Sequence, residues 1–248
     1  CNSTPEFYVS AQGNGGTTVT NPINAPTSVY AAIVGTAGTI MDDAFETDIG
    51  WTRGDTGDTA TTGLWERGDP EATSAQPGDD HTPAPGVNCW VTGRLNGGSD
   101  GANDVDNGKT TVKSPVLNLT GYADATIGYW RWYSNSAGGA PNADTFRVDI
   151  TNNGTTWTNA ETVGPDGPGT SGGWIYHEFN VADFVTPTAL VRLRFIAEDA
   201  STPSLIEAAL DDVKIVAFNC TDVPACATIL GDMNGNSVVN GADIQGFV

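Results

Sequence analysis

Apolar side chains in this sequence return at every second position, in short runs broken by Gly, Pro and Asn. "TFRVDI" (145–150) sets Phe146, Val148 and Ile150 on one side, with Thr145, Arg147 and Asp149 on the other. "VRLRF" (191–195) sends Val191, Leu193 and Phe195 one way and both arginines the other. A period of two belongs to a strand with one buried face. No stretch before the C-terminal tail holds a helical period. The 31 Gly and 14 Pro disfavour helix interiors. The expected class is all-β, and many short strands at turn spacing predict a two-sheet sandwich or jelly roll.

Two further runs carry finer information. "IGYWRWYS" (127–134) places Trp130 and Trp132 on one face and Tyr129, Arg131 and Tyr133 on the opposite one. "GWIYHEFNV" (173–181) reads as another strand, and filling of the core is the favoured reading for Trp130, Trp132, Trp174 and Tyr176. In "LIEAALDDVKIVAF" (205–218) Ile206, Ala208 and Leu210 share one parity, whereas Val213 and Ile215 share the other. A β-bulge at Asp211–Asp212 restores the core face on both sides. Adjacent acids among apolar residues are costly without a neutralising partner, so a metal or an arginine is expected there.

The formal charge of −20 repels phosphate backbones and anionic lipid surfaces, which argues against nucleic-acid and membrane-surface partners. No apolar run approaches the roughly 20 residues of a membrane span. Neither a signal peptide nor a CxxC pair is present. Cys220 and Cys226 are spaced to close a short loop, leaving Cys1 with Cys89, although three connectivities remain open. An oxidising, secreted or cell-surface location fits best.

Residues 1–40 differ from the rest, since Glu6 is the only charged side chain before Asp42. "EFYVS" (6–10) and "SVYAAIVG" (28–35) are strand-like, and the second suits a strand buried on both faces. Uncharged strands left bare seek an open sheet edge. The bland expectation is an extra strand or two of the same sandwich; the alternative is donation to another copy, giving a homo-oligomer through residues 1–40.

Acids and amides cluster at "DDAFETD" (42–48), "GDDHT" (78–82) and "SDGANDVDNG" (99–108). Local chemistry nominates Asp48, Asn103, Asp104 and Asp106 as oxygen ligands for calcium. In order, the chain shows "FETDIGWT", "LWERGDP", "DHT", "TTVKSPVLNL", "IGYWRWY", "FRVDI…WT", "VRLRFIAED" and "IEAALDDVKI…C". This series resembles MAM domains and related jelly-roll adhesin modules of secreted bacterial proteins, over residues 41–220. Only Cys89 and Cys220 of the usual framework cysteines fall in that span, and "NDVDNG" suits the bacterial relatives better. The resemblance implies a structural cation near one edge and a role in adhesion. It also matches Glu46, Asp80 and Asp211 or Asp212 to acid-lined positions.

Residues 221–248 form a linker and a loop-helix tail. "GDMNGNSVVNGADIQGFV" resembles the first half of a type I dockerin. The resemblance assigns calcium to Asp232, Asn234, Asn236, Asn240 and Asp243, with the carbonyl of Val238. Asn236 stands where an acid is usual and Ser237 where Gly is usual, and no second repeat follows. Catalysis is not expected: the two histidines, His81 and His177, lie in no HExxH pattern, and GxSxG and P-loop sequences are absent. The expected function is a non-catalytic, calcium-stabilised structural or adhesion protein that self-associates into a filament or other extracellular assembly. A carbohydrate-binding module, or an accessory domain of a secreted hydrolase, is the alternative. The glycan would then rest on Trp130, Trp132, Trp174 and Tyr176.

Overall fold

The computed structural model describes residues 6–31, 36–200 and 202–219. They form fifteen strands and one 3-10 turn, and no helix among them is long and apolar enough to cross a membrane. The chain divides into two compact units, one containing residues 6–31 and the other spanning 38–217.

In the first unit, β1 (Glu6–Phe7), β2 (Val9–Gln12), β3 (Thr18–Asn21) and β4 (Tyr30–Ala31) make two separate two-stranded sheets, β1–β4 and β2–β3. Neither joins a sandwich sheet, so "EFYVS" is not the extra sandwich strand expected; of the described residues among 1–40 only the stretch from Thr36 enters a sandwich sheet, as part of the strand Thr36–Asp43. Nor is the described part of "SVYAAIVG" buried on both faces, because Tyr30 is 40% exposed. Two residues of pairing are too few to build a covering layer.

The second unit is an antiparallel sandwich. Its elements are β5 (Thr36–Asp43), β6 (Thr52–Arg53), β7 (Trp65–Gly68), β8 (Cys89–Thr92), β9 (Gly108–Lys113), β10 (Asp124–Gly138), β11 (Phe146–Thr151), β12 (Thr158–Val163), β13 (Ile175–Asn180), β14 (Arg192–Asp199) and β15 (Ser204–Asn219). One sheet runs β13-β10-β15-β8-β7, with β5 also paired to β15; the other runs β12-β11-β14-β9-β6. Between them lies a core drawn from inward parities: Tyr129 and Tyr133 of β10, Phe146, Val148 and Ile150 of β11, Leu193 and Phe195 of β14. Aromatic rings interlock edge-to-face, Tyr129 on Phe195 at 5.1 Å and Phe45 on Trp51 at 5.2 Å, a geometry favoured by ring quadrupoles.

The parity change in β15 is real. Ile206, Ala208 and Leu210 enter the core, and so do Val213, Ile215 and Ala217. Asp212 absorbs the extra residue with φ 48°, a left-handed conformation that a short polar side chain tolerates.

The tryptophans of β10 take the other face. Trp130 and Trp132 point outward, where the segment between β7 and β8 covers them. Beneath it Cys89, Val91 and Ala209 form a small second core with Trp132 and Trp174. Cys89 is a fully buried free thiol there, so its expected disulfide with Cys1 is not formed. Cys1, Cys220 and Cys226 lie outside the described residues.

Candidate functional site

Three groups of carboxylates occupy the sandwich, and they differ in what neutralises them. The first surrounds Arg194. Its guanidinium meets Asp149 at 2.8 Å and Asp55 at 2.9 Å, Lys113 meets Asp55 at 3.0 Å, and the arginine lies over the Trp157 ring. Nearby, Arg131 and Glu161 pair at 2.8 Å with both side chains 8% exposed. Tyr129 donates its hydroxyl hydrogen to the same Glu161 at 2.8 Å. Every acid here has a cation.

The second group is the bulge pair with the "DHT" segment. The backbone N–H groups of His81 and Thr82 donate to Asp211 Oδ2 at 2.7 and 3.2 Å, and the Asp212 N–H donates to Asp211 Oδ1 at 2.8 Å. Thr82 Oγ1 donates to Asp212 Oδ1 at 2.7 Å, and His81 Nδ1 stands 2.7 Å from Asp212 Oδ2. Hydrogen-bond donors therefore hold this pair, and no arginine does. Burial still pushes Asp211 up to about 7, against the pull of those N–H groups. Asp80 is 8% exposed and its Oδ2 has no hydrogen-bond partner in the protein. Burial raises it to about 6, with Asp79 and Glu46 adding like charge. Glu46 itself is exposed and accepts the Asn88 and Val87 N–H groups, which lower its pKa. Asp48 does not join this group; it accepts the Gly50 N–H of its own turn, and its charge acts on Asp43.

The third group lies where β10, β11 and β14 end, and sequence reasoning recovered only part of it. Asp104 and Asp106 belong to it; Asn103 does not reach the acids, since its amide donates to Leu95 O. The members that were missed are Asn135, Asp144, Asp199 and Glu207, all at most 4% exposed. Parity held the signal. Asp199 continues the inward series Leu193, Phe195, Ala197; Asn135 continues Tyr129 and Tyr133; Asp144 continues Phe146 and Val148 backwards. Burial pushes Asp104 and Asp199 up to about 6 each, with repulsion from Asp106 and Asp199 added at Asp104 and from Asp144 and Asp106 at Asp199. Glu207 is raised strongly by burial although Thr92 donates to it. No lysine or arginine contributes to any of these shifts.

The aromatic face is occupied. His81 stacks on Trp130 at 3.8 Å, and Trp132 Nε1 donates to Ala75 O at 2.7 Å. Trp174 packs against Trp132. Tyr176 is 47% exposed, and its ring lies across Gly128, where any Cβ would collide with the phenol. Tyr176 thus covers a glycine gap on the neighbouring strand. The tail residues Asp232, Asn234, Asn236, Val238, Asn240 and Asp243 lie outside the described residues. Among the described residues, no three His, Cys, Asp or Glu side chains converge tightly enough to enclose a metal ion by themselves.

No family model matches the chain, and no curated protein does. Solved structures do. The K3 cleaved adhesin domain of Lys-gingipain from Porphyromonas gingivalis is 15% identical with a TM-score of 0.43, covering 73% of this chain and 99% of that one. The CBM22-1 xylan-binding domain of Paenibacillus barcinonensis Xyn10C is also 15% identical, at 0.38, covering 75% and 99%. A Stig cyclase from Fischerella sp. TAU is 15% identical at 0.40, covering 74% and 99%. An adhesin domain, a sugar-binding domain and a cyclase stand side by side in these likenesses, and their activities are statements about those proteins.

Proposed function

We propose that this chain is a non-catalytic structural or adhesion module of a secreted or cell-surface assembly, stabilised by calcium and joined to further copies through its N-terminal strands. One observation carries the self-association. Phe7, Tyr8, Val9, Val19, Ile23 and Tyr30 are six of the twelve large apolar side chains exposed among the described residues, with Val19 63% and Ile23 83% exposed. Glu6 is the only charge among residues 6–31. Bodies of this chain repel one another at −20, so approach is cheapest through a neutral surface with apolar area to bury.

The non-catalytic reading is supported by the state of the "DHT" segment. The Thr82 hydroxyl donates to Asp212 rather than to His81, and the His81 ring is stacked beneath Trp130. Nucleophilic activation requires the hydroxyl hydrogen to face a base such as the imidazole, and here it faces a carboxylate.

Size-exclusion chromatography with light scattering and negative-stain imaging on the full chain, beside a version lacking residues 1–35, tests the assembly. The full chain forms oligomers and the shortened chain runs as a monomer; equal monomers would end this reading.

A second reading, a carbohydrate-binding module, draws on the outward placement of Trp130, Trp132, Trp174 and Tyr176. Retardation on polysaccharide gels that disappears in Tyr176→Ala would favour it, since Tyr176 is the ring left open.

A further inference from the structure

We propose that Asp144 and Asp199, with the side-chain oxygen of Asn135, form a calcium site that clamps the two sheets together at one end of the sandwich. It deepens the calcium part of the reading above and is independent of self-association.

The placement follows from register. Phe146 of β11 lies opposite Ala197 of β14, so two residues further out Asp144 faces Asp199. Both stand on the parity of Phe146 and Ala197, which belong to the core. The Ala200 N–H donates to Asp144 Oδ1 at 2.9 Å, which ties the two strand ends together. Asn135 arrives from β10 in the opposite sheet. Its Nδ2 donates to the Asp144 carbonyl at 2.7 Å and to the Pro165 carbonyl at 2.9 Å. Those two acceptors fix the amide, so Oδ1 is the end left over.

Four oxygen atoms of this region have no hydrogen-bond partner in the protein: Asp144 Oδ2, Asp199 Oδ1, Asn135 Oδ1 and Tyr133 Oη. Asp144, Asp199 and Asn135 are 4%, 3% and 0% exposed. A buried acceptor with no donor is costly, and more so when it is charged. Around Arg194 such costs are met by arginine and lysine, and at Asp211 and Asp212 by hydrogen-bond donors; here the charges that act on Asp199 are the further acids Asp144 and Asp106. Two carboxylates and a neutral amide oxygen are hard ligands of the kind calcium takes. Its six to eight positions are completed by carbonyls and water. Such a set includes only two acids, which agrees with the lack of any three-acid metal cage. A surface depression lined by Asp104, Asp106, Gly138 and Ser204 carries further acid charge, and that of Asp106 acts on Asp199.

The test uses the full chain, stripped with chelator and titrated calorimetrically with calcium chloride, alongside Asp144→Asn, Asp199→Asn and a double tail variant, Asp232→Ala with Asp243→Ala. Wild type and the tail variant bind calcium at this site, and each Asn variant weakens that binding at least tenfold. Melting with and without calcium adds a signature that a purely structural acid lacks. Without calcium the Asn variants melt at or above wild type, because a buried unpaired charge has gone; with calcium they gain little. Calcium uptake unchanged in both Asn variants overturns the site. So does uptake abolished by the tail substitutions alone, or Asn variants destabilised equally with and without calcium. A monomeric full chain would end the assembly reading and leave this one standing.

Discussion

Residues 6–31 and residues 38–217 are both β-structure, yet they use apolar side chains in opposite ways. The larger unit sends Trp65, Tyr129, Phe146, Phe195 and Leu193 to full burial between two sheets. The smaller one presents Phe7, Val9, Val19 and Ile23 to solvent from two-stranded sheets, with no layer over them among the described residues. A two-stranded ribbon has nothing of its own to pack against. Alternation along a strand therefore announces which residues want burial and leaves open where the burial occurs. In the sandwich it occurs within the unit; in the N-terminal strands we assign it to another copy.

The comparison breaks most visibly in the core. Phe195→Ala removes a ring that touches Trp51, Tyr129 and Phe146, and should cost about 3–5 kcal/mol in denaturant melts without changing assembly. Val19→Asp in the N-terminal strands should do the reverse, leaving the sandwich melt within about 0.5 kcal/mol while abolishing oligomers on sedimentation. A mutant pair that fails to separate in this way would show that the two regions form one cooperative structure.

Arg194→Met leaves Asp55 and Asp149 without their shared cation. Loss of a largely buried partner costs about 3 kcal/mol, read from the shift of the urea midpoint. The acids that no arginine or lysine meets behave oppositely with pH. Asp80, Asp104 and Asp199 rise to about 6 and Asp211 to about 7, from an ordinary value of 3.8. A raised carboxyl binds its proton more tightly in the folded chain, so its stabilisation is complete below 3.8 and is lost as pH rises through 6–7. Chelated protein should melt higher at pH 5 than at pH 8; the opposite slope would mean that these acids have partners. The smallest effect belongs to Lys214→Ala. It removes an exposed 2.8 Å pair with Asp42 and should cost at most about 0.5 kcal/mol.

Much of the sandwich is written in parity. The inward faces of β11 and β14, the opposed faces of β10 and the bulge at Asp212 are all deducible from spacing. Which face of β10 meets the core is not, because Tyr129, Arg131 and Tyr133 look no more apolar than Trp130 and Trp132. The outcome depends on Glu161 arriving opposite Arg131, and on the covering segment that gives Trp132 an acceptor in Ala75. The acids were legible as residue types and not as groups. Glu46, Asp80, Asp211 and Asp212 approach one another, Asp104 and Asp106 belong elsewhere, and Asp48 neighbours Asp43 instead. The pairing of Asp144 with Asp199 requires the register between β11 and β14, which no local pattern contains. The bulge acids looked in need of a cation, because backbone N–H groups from a segment about 130 residues away leave no trace in composition.

The direct test of the central claim is amide hydrogen exchange across residues 6–31, measured on the full chain at low and high protein concentration and again in raised salt. Association through these strands predicts protection that grows with concentration. Salt should strengthen it further, because it screens the repulsion between bodies of charge −20. Exchange in this stretch that is equally fast under all three conditions would contradict the account.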